Sequence, residues 1–108
     1  MIQVKMEHTK YGFTLKMTGH AEHVRKEGSA NLCCAGATML GTTAAEVLAS
    51  MQDHGKLRDF RAYLGKGRTF IRVAALRPHL RDVRVLESML RTGLELLCER
   101  YPDRILMG

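Results

Sequence analysis

The sequence predicts an α+β fold, a two-layer α/β sandwich in which two helices pack on one face of a mostly antiparallel sheet. Apolar and polar residues alternate at the start of the chain and again in its middle, which is typical of β-strands. Each alternating region is followed by a long segment with the apolar spacing of a helix. We therefore expect the order ββαββα, with a short further strand at the C-terminus, in a single domain over residues 1–108.

The four main strands are predicted as two β-hairpins. The first hairpin alternates over residues 2–7 and 13–17, on either side of a short turn that contains Gly12. The second alternates over residues 56–64 and 68–76, and Gly65-Lys66-Gly67 forms its turn. The first hairpin delivers its second strand directly to Gly19 and His20, so this histidine should be held at the end of a rigid element.

Start and stop signals mark both predicted helices. Asn31 suits an N-cap, and the first helix is expected to run from there to about Asp53, before Gly55. The second begins near Pro78 and runs to about Arg100. The main apolar stripe of the second helix is predicted as Val83, Leu86, Leu90, Leu94 and Leu97. Three further residues broaden this stripe: Met89, Leu96 and Tyr101. The exposed face is predicted as Arg81, Arg84, Glu87, Arg91, Glu95 and Glu99.

The net charge and the cysteine content of the chain indicate its partners and its cellular compartment. With 17 Lys and Arg against 11 Asp and Glu, the chain has a formal net charge of +6. That charge suggests an acidic partner such as RNA, although an ordinary solvated basic surface would give the same count. Three cysteines, two of them adjacent, make a poor disulfide framework and favour a reducing cytoplasm. We expect no signal peptide and no membrane segment, because no apolar run approaches about 18 residues.

A thiol and an imidazole form the strongest candidate site. Cys33 and Cys34 fall in the first turn of the predicted first helix, where the dipole and unpaired N–H groups favour a thiolate. His20 lies upstream across a loop and could act as base, which predicts a Cys–His hydrolase. The two cysteines differ by about 100° around the helix axis, so only one can face a given cleft. His23 competes with His20 for the role of base but lies within the loop.

Residues 21–30 are predicted as a mobile loop between base and nucleophile. They are polar and show no sustained period, so we expect a lid that contacts substrate, although a plain connector would look the same. The expected lid residues are Glu22, His23, Gly28 and Ser29. A metal site built from these histidines and cysteines is disfavoured, because adjacent cysteines do not match the usual ligand spacing. We expect neither a metal nor a cofactor.

Two short motifs carry a family resemblance. Gly19-His20-Ala21, followed after the loop by Asn31-Leu32-Cys33-Cys34-Ala35-Gly36-Ala37-Thr38, resembles the G-H-A…G-x-D-I-V-C-A-A/G-x-S signature of the ribosomal-processing cysteine proteases (the Prp family). The similarity extends over nearly the whole chain. It implies a small, homodimeric bacterial protease that removes an N-terminal extension, ending in aromatic residues, from a large-subunit ribosomal protein, the twenty-seventh in the usual series.

The resemblance also implies roles for individual residues. Carried over by position, His20 is the base and Cys34, rather than Cys33, is the nucleophile. Asn31 stands where the family usually has Asp, and it could still cap the helix or orient the imidazole. Thr38 stands for the usual Ser, and the loop is slightly longer than usual.

Two other classes of function remain alternatives to a protease. One is a noncatalytic basic module that binds ribosomal RNA or protein. It predicts basic residues with interleaved aromatic residues on one sheet face, for which six aromatic residues in all, and no Trp, are few. The other is a redox protein that uses Cys33 and Cys34, with Cys98 as resolving partner. Possible contact with the ribosome or its RNA is also compatible with the protease.

Overall fold

The computed structural model describes residues 1–19 and 28–108, with the side chains of residues 1–19 and 32–108. These ranges form β1 (Ile2–His8), β2 (Gly12–Thr18), α1 (Gly28–Asp53), β3 (Leu57–Gly65), β4 (Arg68–Ala75), α2 (Leu80–Arg100) and β5 (Ile105–Met107). A 3₁₀ turn at Arg77–His79, with Pro78 inside it, leads into α2. The predicted element order is confirmed, including the short C-terminal strand.

The strands form one sheet in the order β3-β4-β2-β1-β5. All pairs are antiparallel except β1 with β5, which are parallel, so the sheet is mixed. Both predicted hairpins are present. The first closes through the Thr9 N–H, which donates to the Gly12 carbonyl at 2.9 Å. The second turns at Gly67, whose φ of +73° favours glycine.

One face of the sheet is buried and the other is open. Alternate strand residues such as Val4, Leu15 and Ile71 are at most 2 % exposed. They pack beneath both helices, which contribute Leu48 and Leu94, each 0 % exposed, to the same core. The intervening strand residues point to the opposite side, where no described helix packs. We call that side the open face.

Glycines allow the two helices to approach each other closely. A Cβ at Gly36 of α1 would lie 3.0 Å from the Leu97 side chain, and one at Gly93 of α2 would lie 2.8 Å from that of Leu40. Each helix therefore inserts a leucine against a glycine of the other. The contact with Leu97 indicates that Gly36 serves the packing of the two helices.

Helix α1 begins three residues earlier than predicted. Gly28 and Ser29, expected in the lid loop, lie in its first turn, and Asn31 lies inside the helix rather than at its N-cap. The N-cap prediction for Asn31 was wrong because the residue types that favour caps also occur inside helices. Asn in a helix interior reduces helix stability by less than about 1 kcal/mol relative to Ala. The predicted end at Asp53 is confirmed. His20, Glu22 and His23 lie outside the described residues.

The orientation of α2 differs from the prediction at four positions. Glu87, expected on the wet face, is 5 % exposed, and the Arg84 side chain is only 26 % exposed. Met89 and Leu96, expected to broaden the buried stripe, are 71 % and 58 % exposed. The buried residues of the helix follow 4-3-4 spacing and are Val83, Glu87, Leu90 and Leu94. A carboxylate can occupy that stripe only because a cation pairs with it.

Helix α1 also has the length and the mean hydropathy, 1.4 in an 18-residue window within Leu32–Asp53, that would suit a membrane span. Its hydropathy comes from leucines, cysteines, methionines, alanines and a valine that are dispersed among glycines, threonines and other polar residues, which is why no long apolar run was apparent. In the structure Ala44, Ala45 and Leu48 are buried in the core. The segment is therefore the core helix of this fold.

Candidate active site

A small cavity lies where the second turn of α1 meets the end of the sheet. Its volume is about 60 Å³. Helix α1 contributes Cys34 and, one turn later, Thr38, so both side chains lie on the helix face that borders the cavity. The other walls come from the end of β2 and from the β3–β4 hairpin. The lining residues are Ile2, Met17, Gly19, Cys34, Ala37, Thr38, Gly65, Gly67, Arg68 and Thr69.

Gly19 forms the wall of this cavity that leads to His20. Its φ is +91°, and a Cβ there would collide with the Met1 carbonyl oxygen, so only glycine fits. Its N–H donates to the Gly67 carbonyl at 2.9 Å, which ties the end of β2 to the turn of the second hairpin. The glycine of the Gly-His-Ala motif is thereby held beside the cavity that Cys34 lines.

The structure separates the two adjacent cysteines, which the sequence alone could not. Cys33 is 0 % exposed and belongs to the hydrophobic core, whereas Cys34 is partly exposed and lines the cavity. Burial raises the pKa of the Cys33 thiol, and negative charge on Cys34 or Cys98 would raise it further. Burial likewise raises the pKa of Cys98. The 100° rotation between neighbouring helix positions thus places only Cys34 at the cleft.

No disulfide joins the three cysteines. Cys98 lies on α2 in partly buried surroundings, and Cys33 is wholly buried. Oxidation needs accessible thiolates. The redox alternative therefore has little support in the geometry.

The earlier start of α1 changes the expected electrostatics of the site. Cys33 and Cys34 were predicted in the first turn but lie in the second, so the Cys34 N–H is used within the helix. Within α1, the N–H groups without helical partners belong to residues 28–30, about one turn before the thiol. An oxyanion at Cys34 would therefore need donors other than the neighbouring helix N–H groups.

Sequence reasoning missed the contribution of the second hairpin. Arg68 and Thr69 begin β4 and line the cavity, and Gly65 and Gly67 approach it from the turn. The Gly-Lys-Gly turn was visible in the sequence, but nothing local indicated that it would meet the thiol. The β2–β4 register, in which Thr18 pairs with Arg68, brings the turn to the same end of the sheet as Gly19.

Comparison with known proteins identifies relatives of both the sequence and the fold. The family model described as "Cysteine protease Prp" matches residues 1–106. A search of the curated proteins finds no significant match. Protein SMU.848 from Streptococcus mutans superposes with a TM-score of 0.70 at 19 % identity, covering 100 % of this chain and 92 % of that one.

Two structures of the essential ribosomal processing protease Prp from S. aureus are also similar. The complex with a covalently linked product peptide has a TM-score of 0.72 at 18 % identity. The complex with a substrate peptide has a TM-score of 0.69 at 16 % identity. Each covers 100 % of this chain and 98 % of the other. At these identities the superpositions show a shared fold.

Proposed function

Because this chain belongs to the Prp family of cysteine proteases, we propose that it removes an N-terminal extension from the twenty-seventh large-subunit ribosomal protein. The observation that carries the proposal is the position of Cys34 in a cavity whose wall includes Gly19. His20 follows Gly19 directly in the chain, and consecutive Cα atoms are about 3.8 Å apart. The peptide complexes of the S. aureus protein support a peptide as substrate.

The proposed chemistry uses one thiol and one imidazole. His20 accepts the Cys34 proton, and the thiolate sulfur attacks the carbonyl carbon of the scissile bond. His20 then returns the proton to the leaving amine as the C–N bond breaks, which leaves a thioester on Cys34. Water, deprotonated by His20, hydrolyses the thioester and releases the new carboxylate together with the thiol.

Side chains that line the cavity supply the proposed oxyanion donors. Thr38 lies one turn after Cys34, and Thr69 faces α1 from the start of β4, in the wall of the same cavity. Each threonine carries a hydroxyl that can donate a hydrogen bond to a developing alkoxide. Asn31 lies one turn before Cys34, and its proposed role is to orient the His20 imidazole.

The edge of the sheet offers a route for an extended substrate. Strand β3 is an edge strand, bonded only to β4, and its last residue, Gly65, lines the cysteine cavity. A peptide that added to this edge would run its backbone toward Cys34. Main-chain pairing of this kind does not depend on charge. It therefore suits a basic ribosomal-protein tail on a chain of net charge +6.

We further propose that the protein acts in the cytoplasm as a homodimer. The outer side of α2 carries three exposed apolar residues at Val85, Met89 and Leu96. Their spacing places them on one side of the helix, away from the core stripe. A second copy could cover this stripe and remove its apolar surface from water.

Cleavage of a synthetic peptide tests the proposed substrate. The peptide spans the extension of the ribosomal protein from the same organism, and its matched control has alanine in place of the aromatic residues before the scissile bond. We expect kcat/KM to be at least about 10- to 100-fold lower for the control, because the burial of a single aromatic ring contributes about 1.5–3 kcal/mol. Equal rates for the two peptides, or no cleavage of either, would contradict the proposed substrate.

A further inference from the structure

The open face of the sheet carries aromatic and basic side chains in one continuous row. Tyr63 of β3 pairs with Phe70 of β4, Phe70 pairs with Lys16 of β2, and Lys16 pairs with Lys5 of β1. Cross-strand partners lie side by side on the same face, with Cβ atoms about 4.5–5.5 Å apart. The row therefore places two neighbouring rings beside two neighbouring ammonium groups, across four strands.

The rows on either side add further cations. Arg61 pairs with Arg72 on one side of the aromatic pair, and Arg68 lies on the other side, two residues before Phe70. Among the described strands, the open face thus has five basic residues: Lys5, Lys16, Arg61, Arg68 and Arg72.

Few negative charges oppose these cations on the open face. Asp59 contacts Arg72 at 3.1 Å and Arg61 at 3.9 Å, and Glu7 lies at the end of β1. Five cations against two carboxylates leave the described part of this face with a net charge of +3. The face therefore attracts a polyanion and repels a second copy of itself.

The aromatic pair presents a ring to solvent. Tyr63 is 57 % exposed, and a Cβ at Gly65 would come within 2.5 Å of its ring, so the ring extends over the bare backbone of its own strand. Phe70 is partly exposed beside it. Tyr63, Phe70 and Arg68 line a depression of about 270 Å³. A planar group could enter this depression and stack on a ring while Arg68 contacts its charge.

A second depression continues the surface beyond the lysines. It has a volume of about 370 Å³, and its lining includes Lys5, Lys16, Thr18 and Leu106. The two depressions lie on opposite sides of the Phe70–Lys16 pair. A ligand that filled both would cross the strands, with stacking groups at one end and anionic groups at the other.

We propose that the open face binds single-stranded RNA. Bases stack on Tyr63 and Phe70, and phosphates contact Lys16, Lys5 and the flanking arginines. Stacking on aromatic side chains together with a basic surface is how sheet faces hold single strands, and it needs unpaired bases. A regular duplex would offer only phosphates, because its bases are already stacked. The inference does not depend on protease activity.

Fluorescence anisotropy with a 5′-labelled U₁₂ RNA tests the proposal, and a 12-base-pair RNA duplex serves as competitor. The double variant Lys5→Gln/Lys16→Gln should bind U₁₂ about 10- to 30-fold more weakly at 0.1 M salt, and the salt slope should fall by about 1.4. Arg81→Gln/Arg100→Gln, at exposed positions on α2, makes the same charge change away from the open face and should bind within about twofold of wild type.

A second variant separates stacking from charge. Tyr63→Ala should weaken U₁₂ binding about 5- to 150-fold and leave the salt slope unchanged, whereas Tyr63→Phe should bind like wild type. All measurements are repeated in the Cys34→Ala protein, which should bind RNA normally. The proposal would be overturned if the protein did not bind U₁₂, or if it bound the duplex as tightly as U₁₂. It would also be overturned if the α2 control pair weakened binding as much as the lysine pair. A Tyr63→Ala variant that binds U₁₂ normally but loses peptide cleavage would identify a peptide site instead.

Discussion

Replacing Arg84 by methionine should lower the free energy of unfolding by about 3–5 kcal/mol, because it removes the guanidinium that neutralises a buried carboxylate. Arg84 Nη1 donates to the Gly12 carbonyl at 2.7 Å and to Glu87 Oε1 at 2.9 Å. Its Nη2 donates to the carbonyls of Thr9 at 2.6 Å and Lys10 at 3.0 Å. One guanidinium thus fastens the turn of the first hairpin to α2 and neutralises Glu87.

Counting hydrogens also assigns the proton on His8. Arg84 Nη1 has two hydrogens, and Gly12 and Glu87 accept both. His8 Nδ1, 3.0 Å from the same Nη1, therefore does not accept from it. Instead Nδ1 carries a hydrogen and donates to Glu87 Oε2 at 2.9 Å. Both oxygens of the buried carboxylate are thereby satisfied, and methionine at position 84 would leave only the histidine bond.

Urea denaturation measures the effect, and two further variants test its cause. Arg84→Met/Glu87→Leu removes the orphaned carboxylate and should be about 2 kcal/mol more stable than Arg84→Met alone. Arg81→Met, at an exposed position one turn earlier on α2, should change stability by less than about 0.5 kcal/mol. A single Arg84→Met variant within about 1 kcal/mol of wild type would show that the network contributes little.

Replacing Cys34 by alanine should lower kcat/KM for the extension peptide by about 10⁴-fold or more, since no thioester can then form. Cys33→Ala should keep the rate within about tenfold, because Cys33 is 0 % exposed and cannot reach a peptide. Its adjacent position and identical chemistry make Cys33→Ala the matched control. His20→Ala should lose activity like Cys34→Ala, because the thiol then lacks its base.

The measurement is product formation followed by chromatography, with circular dichroism to show that each variant is folded. If Cys33→Ala lost activity while retaining its fold and Cys34→Ala kept it, the assignment of the nucleophile would be reversed. If both single variants remained active, neither thiol would be the nucleophile.

Much of the fold was predictable because its elements have strong local signals. Apolar alternation placed β1 and β2, and glycine turns placed both hairpins, so the observed strand bounds lie within about two residues of the predicted ones. The start of α1 was harder, because Asn31 suits both an N-cap and a helix interior. An error of three residues there moved the cysteines from the first helical turn to the second.

Non-local contacts could not be predicted from one sequence. Glu87 shares a spacing with Val83 and Leu90 that marks a buried stripe, but its charge indicated an exposed position. The partner that makes its burial tolerable, Arg84, also contacts a turn more than 70 residues away. The choice between Cys33 and Cys34 likewise depended on the rotation of α1 against the sheet, and residue types alone do not determine that rotation.

The open face shows why counts of residue types can mislead. The sequence has only six aromatic residues, which argued against a stacking surface. Strand register nevertheless pairs Tyr63 with Phe70 and continues the row with Lys16 and Lys5. Two aromatic residues are enough to form a stacking surface when the strand register makes them neighbours.

Labelling with a substrate-like electrophile tests the central claim, that the Cys34 thiolate attacks the peptide carbonyl. The extension peptide, ending at the residue before the scissile bond, is made as a chloromethyl ketone and reacted with the protein at neutral pH. The modified residue is then located by peptide mass spectrometry. Cys34 should carry the adduct, while Cys33 and Cys98 stay unmodified because burial raises the pKa of both thiols. An adduct on Cys33 or Cys98, or none on the folded protein, would contradict the assignment of Cys34.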